Sequence, residues 1–263
     1  MNFENLFDLK EAKKTNILIS GANASGKTRL ACAISSMLNR LGYKVVVIDV
    51  SGVWKTVSDL PKLIKAYKFN EEIAIPETPF ESHIVDLSML KLSETKQIVE
   101  KISNQIWDSR QNQPNQKPMW LVFEEAELYL RNIRGTASES VYRMVHVARN
   151  IGVRCILLTV DLALLDASVV RQAGLRFHGF LNVEENSKRK FSSYYGKDYT
   201  RIAFEDLEAG DFIRLSGRKL DIISVPLFKP KHKPKAIYEF VQPQEQAITT
   251  PERRSLISRL LHI

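Results

Sequence analysis

The sequence predicts an α/β fold in which a mostly parallel central sheet is flanked by helices. Two observations point to it. Continuous apolar runs recur along the chain, in NILIS, KVVVID, MWLVF and VRCILLTV, as strands covered on both faces require. Between the first two runs, Leu30, Ala33, Ile34, Met37, Leu38 and Leu41 fall on one helical stripe, so strand, loop, helix and strand succeed one another as a βαβ unit.

The elements follow in order. Residues 4 to 13 suit a short amphipathic helix, and TNILISG a buried strand that ends at a glycine loop. The next helix runs from about Lys27 to Leu41 and stops at Gly42, where a left-handed residue is easily accommodated. YKVVVID is the second strand, residues 52 to 80 read as irregular to weakly helical, and SHIVDLS is a short strand. Ile98, Ile102 and Ile106 recur every fourth residue, which predicts a helix over 93 to 109. SRQNQPNQKP is a surface loop, MWLVFEEA a buried strand, 138 to 149 a helix and VRCILLTV another strand. RFHGFLNV is a candidate fifth strand, and DFIRLSG with LDIISVPLF a terminal hairpin. From Lys229 the chain turns Pro- and Lys-rich, with a candidate helix in PERRSLISRLLHI. The expected organisation is thus a short N-terminal helix over 1–14, one domain over 15–228, and a basic tail over 229–263.

Bulk properties narrow the class without deciding it. With 44% hydrophobic and 26% charged residues the chain suits a soluble globular protein. It holds no apolar run long enough to span a membrane and no secretory leader, which points to the cytoplasm. Cys32 and Cys155 each lie in an apolar segment, as reduced core thiols do. The net charge of +8 permits a polyanionic partner and does not require one.

The chemistry concentrates in GANASGKTR. Gly21, Gly26, Lys27 and Thr28 fit G-x-x-x-x-G-K-[ST] between a buried strand and an amphipathic helix, the setting in which successive backbone N–H groups cradle phosphates. The cradle comprises Gly21, Ala22, Asn23, Ala24, Ser25, Gly26, Lys27, Thr28 and Arg29. Lys27 reaches the outer phosphates of ATP and Thr28 ligates Mg²⁺. Hydrolysis needs carboxylates as well, and WLVFEEAEL places Glu124 and Glu125 at the carboxyl end of a strand, where open α/β sheets hold their ligands. Glu124 is assigned to the metal and Glu125 to the attacking water. An acidic first helical turn is the plainer alternative.

With those motifs in place the chain resembles the HerA and FtsK superfamily of DNA-pumping ATPases across most of residues 15 to 225. VVVIDVSG is similar to the family's second strand, IVDLSML to the strand before the helix that leads to the second acidic motif, and VFEEAE to that motif, with Glu127 where many members carry His. ARNIGVRCILLTVD resembles the turn and strand that end in the family's sensor, and LEAGDFIRLSG the turn before its last strands. The resemblance implies a RecA-like core in a homo-oligomeric, hexameric ring around double-stranded DNA, with an arginine crossing to a neighbour's γ-phosphate. Arg149 and Arg176 both match arginines of the family, and the sequence leaves open which one acts. Two departures stand out: Thr159 is followed by Val160 and Asp161 rather than the sensor Gln, so sensing falls to Thr159 or Asp161, and Val53 replaces a common Glu in DVSGVW.

Residues 1 to 14 are too few for an extra N-terminal barrel or membrane anchor, which makes the chain close to a bare motor. Such motors are familiar as genome-packaging ATPases of viruses with an internal membrane, with plasmid or chromosomal DNA pumps next. DNA-contact candidates are Arg131 and Arg134 in YLRNIRGTAS, and Lys188, Arg189 and Lys190 in SKRKFSSYYGK, where Phe191, Tyr194 and Tyr195 offer stacking surfaces. A solvated loop is the equal alternative for the second run. The tail is expected to wrap a neighbouring subunit, to dock on a partner such as a capsid protein or nuclease, or to stay unfolded.

Overall fold

The structure, a computed structural model, describes residues 9–65, 67–69, 72–74, 82–112, 117–131, 138–182, 184–217, 219–226 and 228–237. In chain order these form α1 (Leu9–Ala12), β1 (Asn16–Ser20), α2 (Lys27–Arg40), β2 (Lys44–Asp49), α3 (Trp54–Val57), β3 (Lys62–Lys65), β4 (Tyr67–Phe69) and β5 (Glu72–Ala74). They continue with β6 (His83–Asp86), α4 (Leu92–Gln111), β7 (Met119–Phe123), α5 (Glu139–His146), β8 (Val153–Thr159), α6 (Ala167–Gln172), β9 (Ala173–His178), α7 (Glu185–Arg201), β10 (Asp211–Ser216), β11 (Lys219–Ser224) and β12 (Lys235–Ile237).

Ten strands form one sheet in the order β11-β10-β9-β1-β8-β7-β2-β6-β3-β12. The pairings from β9 to β12 are parallel and those of β10 with β9 and β11 antiparallel. β1 therefore sits between β8 and β9, with Ile17 opposite Ile156 and Ser20 opposite Thr159. Every residue of β1, β7 and β8 is buried, which is why these segments read as unbroken apolar runs.

Alternation along the strands divides the core in two. Ile17, Ile19, Val45, Val47, Trp120 and Val122 pack beneath α2. Leu18, Val46, Ile48, Leu121, Phe123 and Leu157 pack on the other face, against α4, α5, α6 and α7. The result is helix, sheet, helix, with every parallel strand running toward the edge that carries the glycine loop.

Three expectations need correction. Residues 52–80 are not merely irregular: β3 pairs with β6, and β4 with β5. Strands of three or four residues are too short for periodicity to register. SKRKFSSYYGK is no loop but most of α7, with Phe191 and Tyr195 buried. Their spacing of four is a helical stripe, hidden in the sequence by the surrounding charges. The sheet also extends past the expected boundary at 228, because β12 pairs with β3 at its outer edge.

Elsewhere the structure adjusts boundaries. α5 ends at His146 and a 3-10 turn over Ala148–Ile151 follows, closed by Gly152 at φ +77°. Residues 1–8 of the expected first helix and the candidate helix of the tail lie outside the described residues.

Candidate functional site

The glycine loop follows β1 directly. Gly21 N–H donates to the Thr159 carbonyl at 3.2 Å and Ala22 N–H to the Phe180 carbonyl at 2.8 Å, which fixes the loop to the ends of β8 and β9. Ala24 has φ +67° and Gly26 φ +98°, so the chain doubles back before α2 starts. No side chain caps α2, and its first-turn N–H groups face the loop with no intrahelical acceptor. An anion is the natural partner for such a terminus.

Beneath the loop the fit is tight. A Cβ on Gly21 would lie 2.5 Å from Ser25 Oγ, and one on Gly179 3.0 Å from Ser25 Cβ and 3.2 Å from Phe212 Cε1. Gly210 N–H donates to the Ser25 carbonyl at 3.1 Å. Gly179 and Gly210 were not among the expected site residues; their signals are the single glycines of RFHGF and EAGDF.

The loop opens on a cavity of about 660 Å³ lined by Asn23, Ala24, Gly26, Lys27, Thr28 and Arg29 on one side, and by Ser51, Val53, Glu124, Glu125 and Thr159 on the other. Lys27 Nζ curls back to donate to the Ala22 carbonyl at 3.0 Å. Burial pushes its pKa down, against the attraction of Glu125, Glu127 and Glu124. The half-buried ammonium lines the cavity, where a phosphate would replace its bond to the Ala22 carbonyl.

Glu124 continues β7, its N–H donating to the Ile48 carbonyl at 3.2 Å. Its Oε2 accepts from Ser51 Oγ at 2.7 Å. Burial and then the adjoining Asp49 carboxyl push its pKa up to about 9. Asp49, wholly buried, accepts from the N–H groups of Gly52 at 2.8 Å and Trp54 at 3.0 Å. The sequence reading gave no role to Asp49 or Ser51, although Asp49 ends a strand as Glu124 nearly does.

Two buried acids side by side fit a divalent cation, which would offset their mutual repulsion. Among the described residues no group of three or more His, Cys, Asp or Glu side chains is arranged to hold a metal. One or two carboxylates with a threonine hydroxyl are the donor set that suits magnesium carried in on phosphates.

Glu125 is half-buried and takes φ +50°, ψ +54°. A non-glycine residue pays about 1–3 kcal/mol in such a conformation, and strain of this kind gathers at functional sites. Glu127 lies next to it, only 4% exposed, and its Oε1 accepts from Val160 N–H at 3.4 Å. Burial, with the charge of Glu125 adding to it, pushes the Glu127 pKa up to about 7.

Of the two sensor candidates, Thr159 lines the cavity, donating to the Asp161 carbonyl at 3.0 Å. The Asp161 carboxylate faces elsewhere, accepting from Ala163 N–H at 2.8 Å and from the Ser187 hydroxyl. Neither arginine candidate enters this chain's cavity. Arg149 is exposed and precedes β8, a strand of seven residues whose far end carries Thr159, so it sits about 20 Å from the loop. Arg176 is half-buried in β9, its Nε donating to the Ala173 carbonyl at 2.6 Å and its Nη1 to Tyr195 Oη at 3.1 Å.

The DNA-contact candidates are dispersed. Arg131 is exposed and bridges to Leu165, and Arg134 lies outside the described residues. On α7, Lys188 pairs with Glu205 at 3.7 Å and Arg189 with Glu185 at 3.1 Å. Lys190 Nζ donates to the Leu165 carbonyl at 2.8 Å. Phe191 and Tyr195, being buried, offer no face for base stacking.

No family model and no curated protein matches the sequence. Solved structures do match. The genome packaging NTPase B204 from Sulfolobus turreted icosahedral virus 2, in complex with ATP-gammaS, superposes with a TM-score of 0.59 and 18% identity, over 83% of this chain and 98% of that one. The chain shares with it a mostly parallel sheet flanked by helices. VirB4 of Thermoanaerobacter pseudethanolicus (TM-score 0.61, 8% identity, 80% and 89% covered) and the bacterial conjugative coupling protein TrwBdeltaN70 (0.63, 10%, 86% and 89%) share it. Among the described residues no helix is long and apolar enough to cross a membrane.

Proposed function

We propose that the protein is an ATP-hydrolysing motor that moves double-stranded DNA as a homo-oligomeric, hexameric ring, with viral genome packaging as its first specific role and plasmid or chromosomal DNA pumping next. One observation carries the reading: Glu125, strained at the end of β7, faces the same cavity as Lys27 and Thr28. A binding-only phosphate loop has no use for a carboxylate held there. The names of the similar structures, a genome packaging NTPase and a conjugative coupling protein, support DNA as the substrate.

In this mechanism the loop and the start of α2 bind the phosphates, Lys27 neutralises their outer charge, and Glu125 orients the attacking water and draws off its proton. Thr28, with Glu124 and Asp49 behind it, would hold Mg²⁺, which supplies charge neutralisation on the β- and γ-phosphates. Thr159 contacts the γ-phosphate side. An arginine completes the site of a neighbouring subunit; Arg149 is the better placed, being exposed with one 3.5 Å bond to the Lys14 carbonyl, whereas the half-buried Arg176 guanidinium is held by Ala173 and Tyr195.

Glu125→Gln tests the chemistry. The variant binds ATP as the wild type does and hydrolyses it about 10²- to 10⁴-fold more slowly, read by nucleotide affinity and single-turnover phosphate release. Unchanged hydrolysis would remove Glu125 from the mechanism. A second reading, a nucleotide-dependent assembly switch that does not pump, is favoured by Asp161, whose carboxylate is committed to Ala163 and Ser187 rather than to a ligand. A triplex-displacement assay separates the two, because only a motor displaces the third strand.

A further inference from the structure

Glu127 stands behind the cavity wall rather than in it. The chain leaves β7 at Glu124, takes a left-handed conformation at Glu125 and winds through a 3-10 turn over Ala126–Leu128. Leu128 N–H donates to the Glu125 carbonyl at 2.9 Å and Leu130 N–H to the Ala126 carbonyl at 3.0 Å, so the turn is closed by its own backbone. It presents Glu125 to the cavity, which Thr159 also lines, and buries Glu127 to 4% exposure beneath them. The Glu127 carboxyl meets neighbours on both sides. Its Oε1 accepts from Val160 N–H at 3.4 Å, and the carboxyl is in hydrogen-bond contact with the Glu125 carboxyl and the Thr159 hydroxyl.

A carboxyl at that depth needs a reason. Burying one acid beside another costs stability, and an apolar side chain of similar volume often serves a buried site as well or better. Packing therefore does not account for Glu127. What a carboxyl supplies is one oxygen to accept from the β8 side and another to bond Glu125 at the same time. Two carboxyls in contact hold a proton between them, and burial favours the neutral form on Glu127, which makes Glu127 the donor and the Glu125 carboxylate the acceptor. Thr159 ends β8, so Glu127 joins the carboxylate that handles water to the strand end on the γ-phosphate side. Lys27 lies within its field as well, and feels Glu127 more than Glu124.

We propose that Glu127 is a positioning residue for ATP hydrolysis: it holds the Glu125 carboxylate toward the attacking water and ties it to Thr159, without touching the nucleotide itself. The inference rests on the hydrolytic reading above and adds to it the group that orients the base. Glu125 is the residue in need of such support, since its backbone at φ +50° is strained and its side chain borders an open cavity. A phosphate that engages Thr159 then acts on Glu125 through one shared carboxyl.

The test is a double-mutant cycle on the full chain, read by ATP affinity and by single-turnover phosphate release at saturating ATP. Glu127→Met keeps the volume and removes both oxygens; it binds ATP as the wild type does and hydrolyses it about 10²-fold more slowly, the cost of a misplaced reacting group. Glu127→Gln keeps the wild-type rate, because its amide donates to Glu125 while its oxygen accepts from Val160 N–H. Glu125→Gln/Glu127→Met is no slower than Glu125→Gln alone, since a residue that acts through Glu125 has nothing left to position. If Glu127→Met melts early, Glu127→Asp takes its place, one methylene too short to reach Glu125, with the same loss of rate and the same place in the cycle. A Glu127→Met rate equal to wild type overturns the inference, and so does a Glu127→Gln variant as slow as Glu127→Met. Losses that multiply in the double variant also overturn it, because they assign Glu127 a role independent of Glu125. In all three cases a slow Glu125→Gln leaves the hydrolytic reading standing. Glu125→Gln at the wild-type rate sinks that reading and this inference together.

Discussion

His178 shows how a single buried side chain couples the glycine loop to the rest of the protein. Its Nδ1 bonds Ser20 Oγ at 2.7 Å, one residue before Gly21, and its Nε2 bonds Tyr195 Oη of α7 at 2.7 Å. Burial, with Arg176 adding to it, pushes the His178 pKa down to about 3 from an ordinary 6.5. The unfolded chain takes up the proton near 6.5 and the folded chain only near 3, so the stability linked to this group is full above 6.5 and is lost as pH falls through that window. Denaturant titrations from about pH 7 to pH 4 should show wild type losing up to about 1.4 kcal/mol per pH unit from His178, and His178→Gln a flatter profile. Equal slopes would mean that the ring is charged or hydrated in the fold. That Lys27, Thr28, Glu124 and Glu125 line one cavity was legible in the sequence because contiguous motifs carry them. Asp49, Ser51, Glu127 and Gly179 were not, because their roles arise only when parallel crossovers bring separate strand ends to one edge.

Elements differ in how openly the sequence declares them. β1, β2, β7 and β8 are buried on both faces and announce themselves as apolar runs; α2 and α4 carry clean stripes. β3 is a four-residue strand between β6 and β12, and α7 hides its buried Phe191 and Tyr195 in a run of charges, so both escaped. Within α7, Gly196 sits at φ +83°, ψ +172°, a kink that a Cβ would meet with nothing within 4 Å. The cost of Gly196→Ala is therefore backbone strain alone, about 1–3 kcal/mol, seen as a lower urea midpoint with unchanged slope. Stability equal to wild type would show that α7 can straighten, and with it that Tyr195 is not held in place for His178 by the kink.

At the scale of the whole molecule the sheet is polarised: carboxylates and the phosphate loop lie at one edge, and Lys13, Lys14, Lys117, Arg149 and Arg154 at the other. This chain's cavity is lined by its own Arg29, while Arg149 lies about a strand length away. In the proposed ring a neighbour's arginine would add to that charge, a contribution that can be worth about 10³- to 10⁵-fold in rate. The fold and the nucleotide loop could be read from sequence because they are local patterns repeated along the chain; the polarity could not, because it depends on strand order. The most direct test of the account is the specific ATPase rate measured against protein concentration, with and without duplex DNA. The account predicts a rate per chain that rises cooperatively with concentration and rises further with duplex. A rate per chain that is independent of concentration and indifferent to DNA would contradict it.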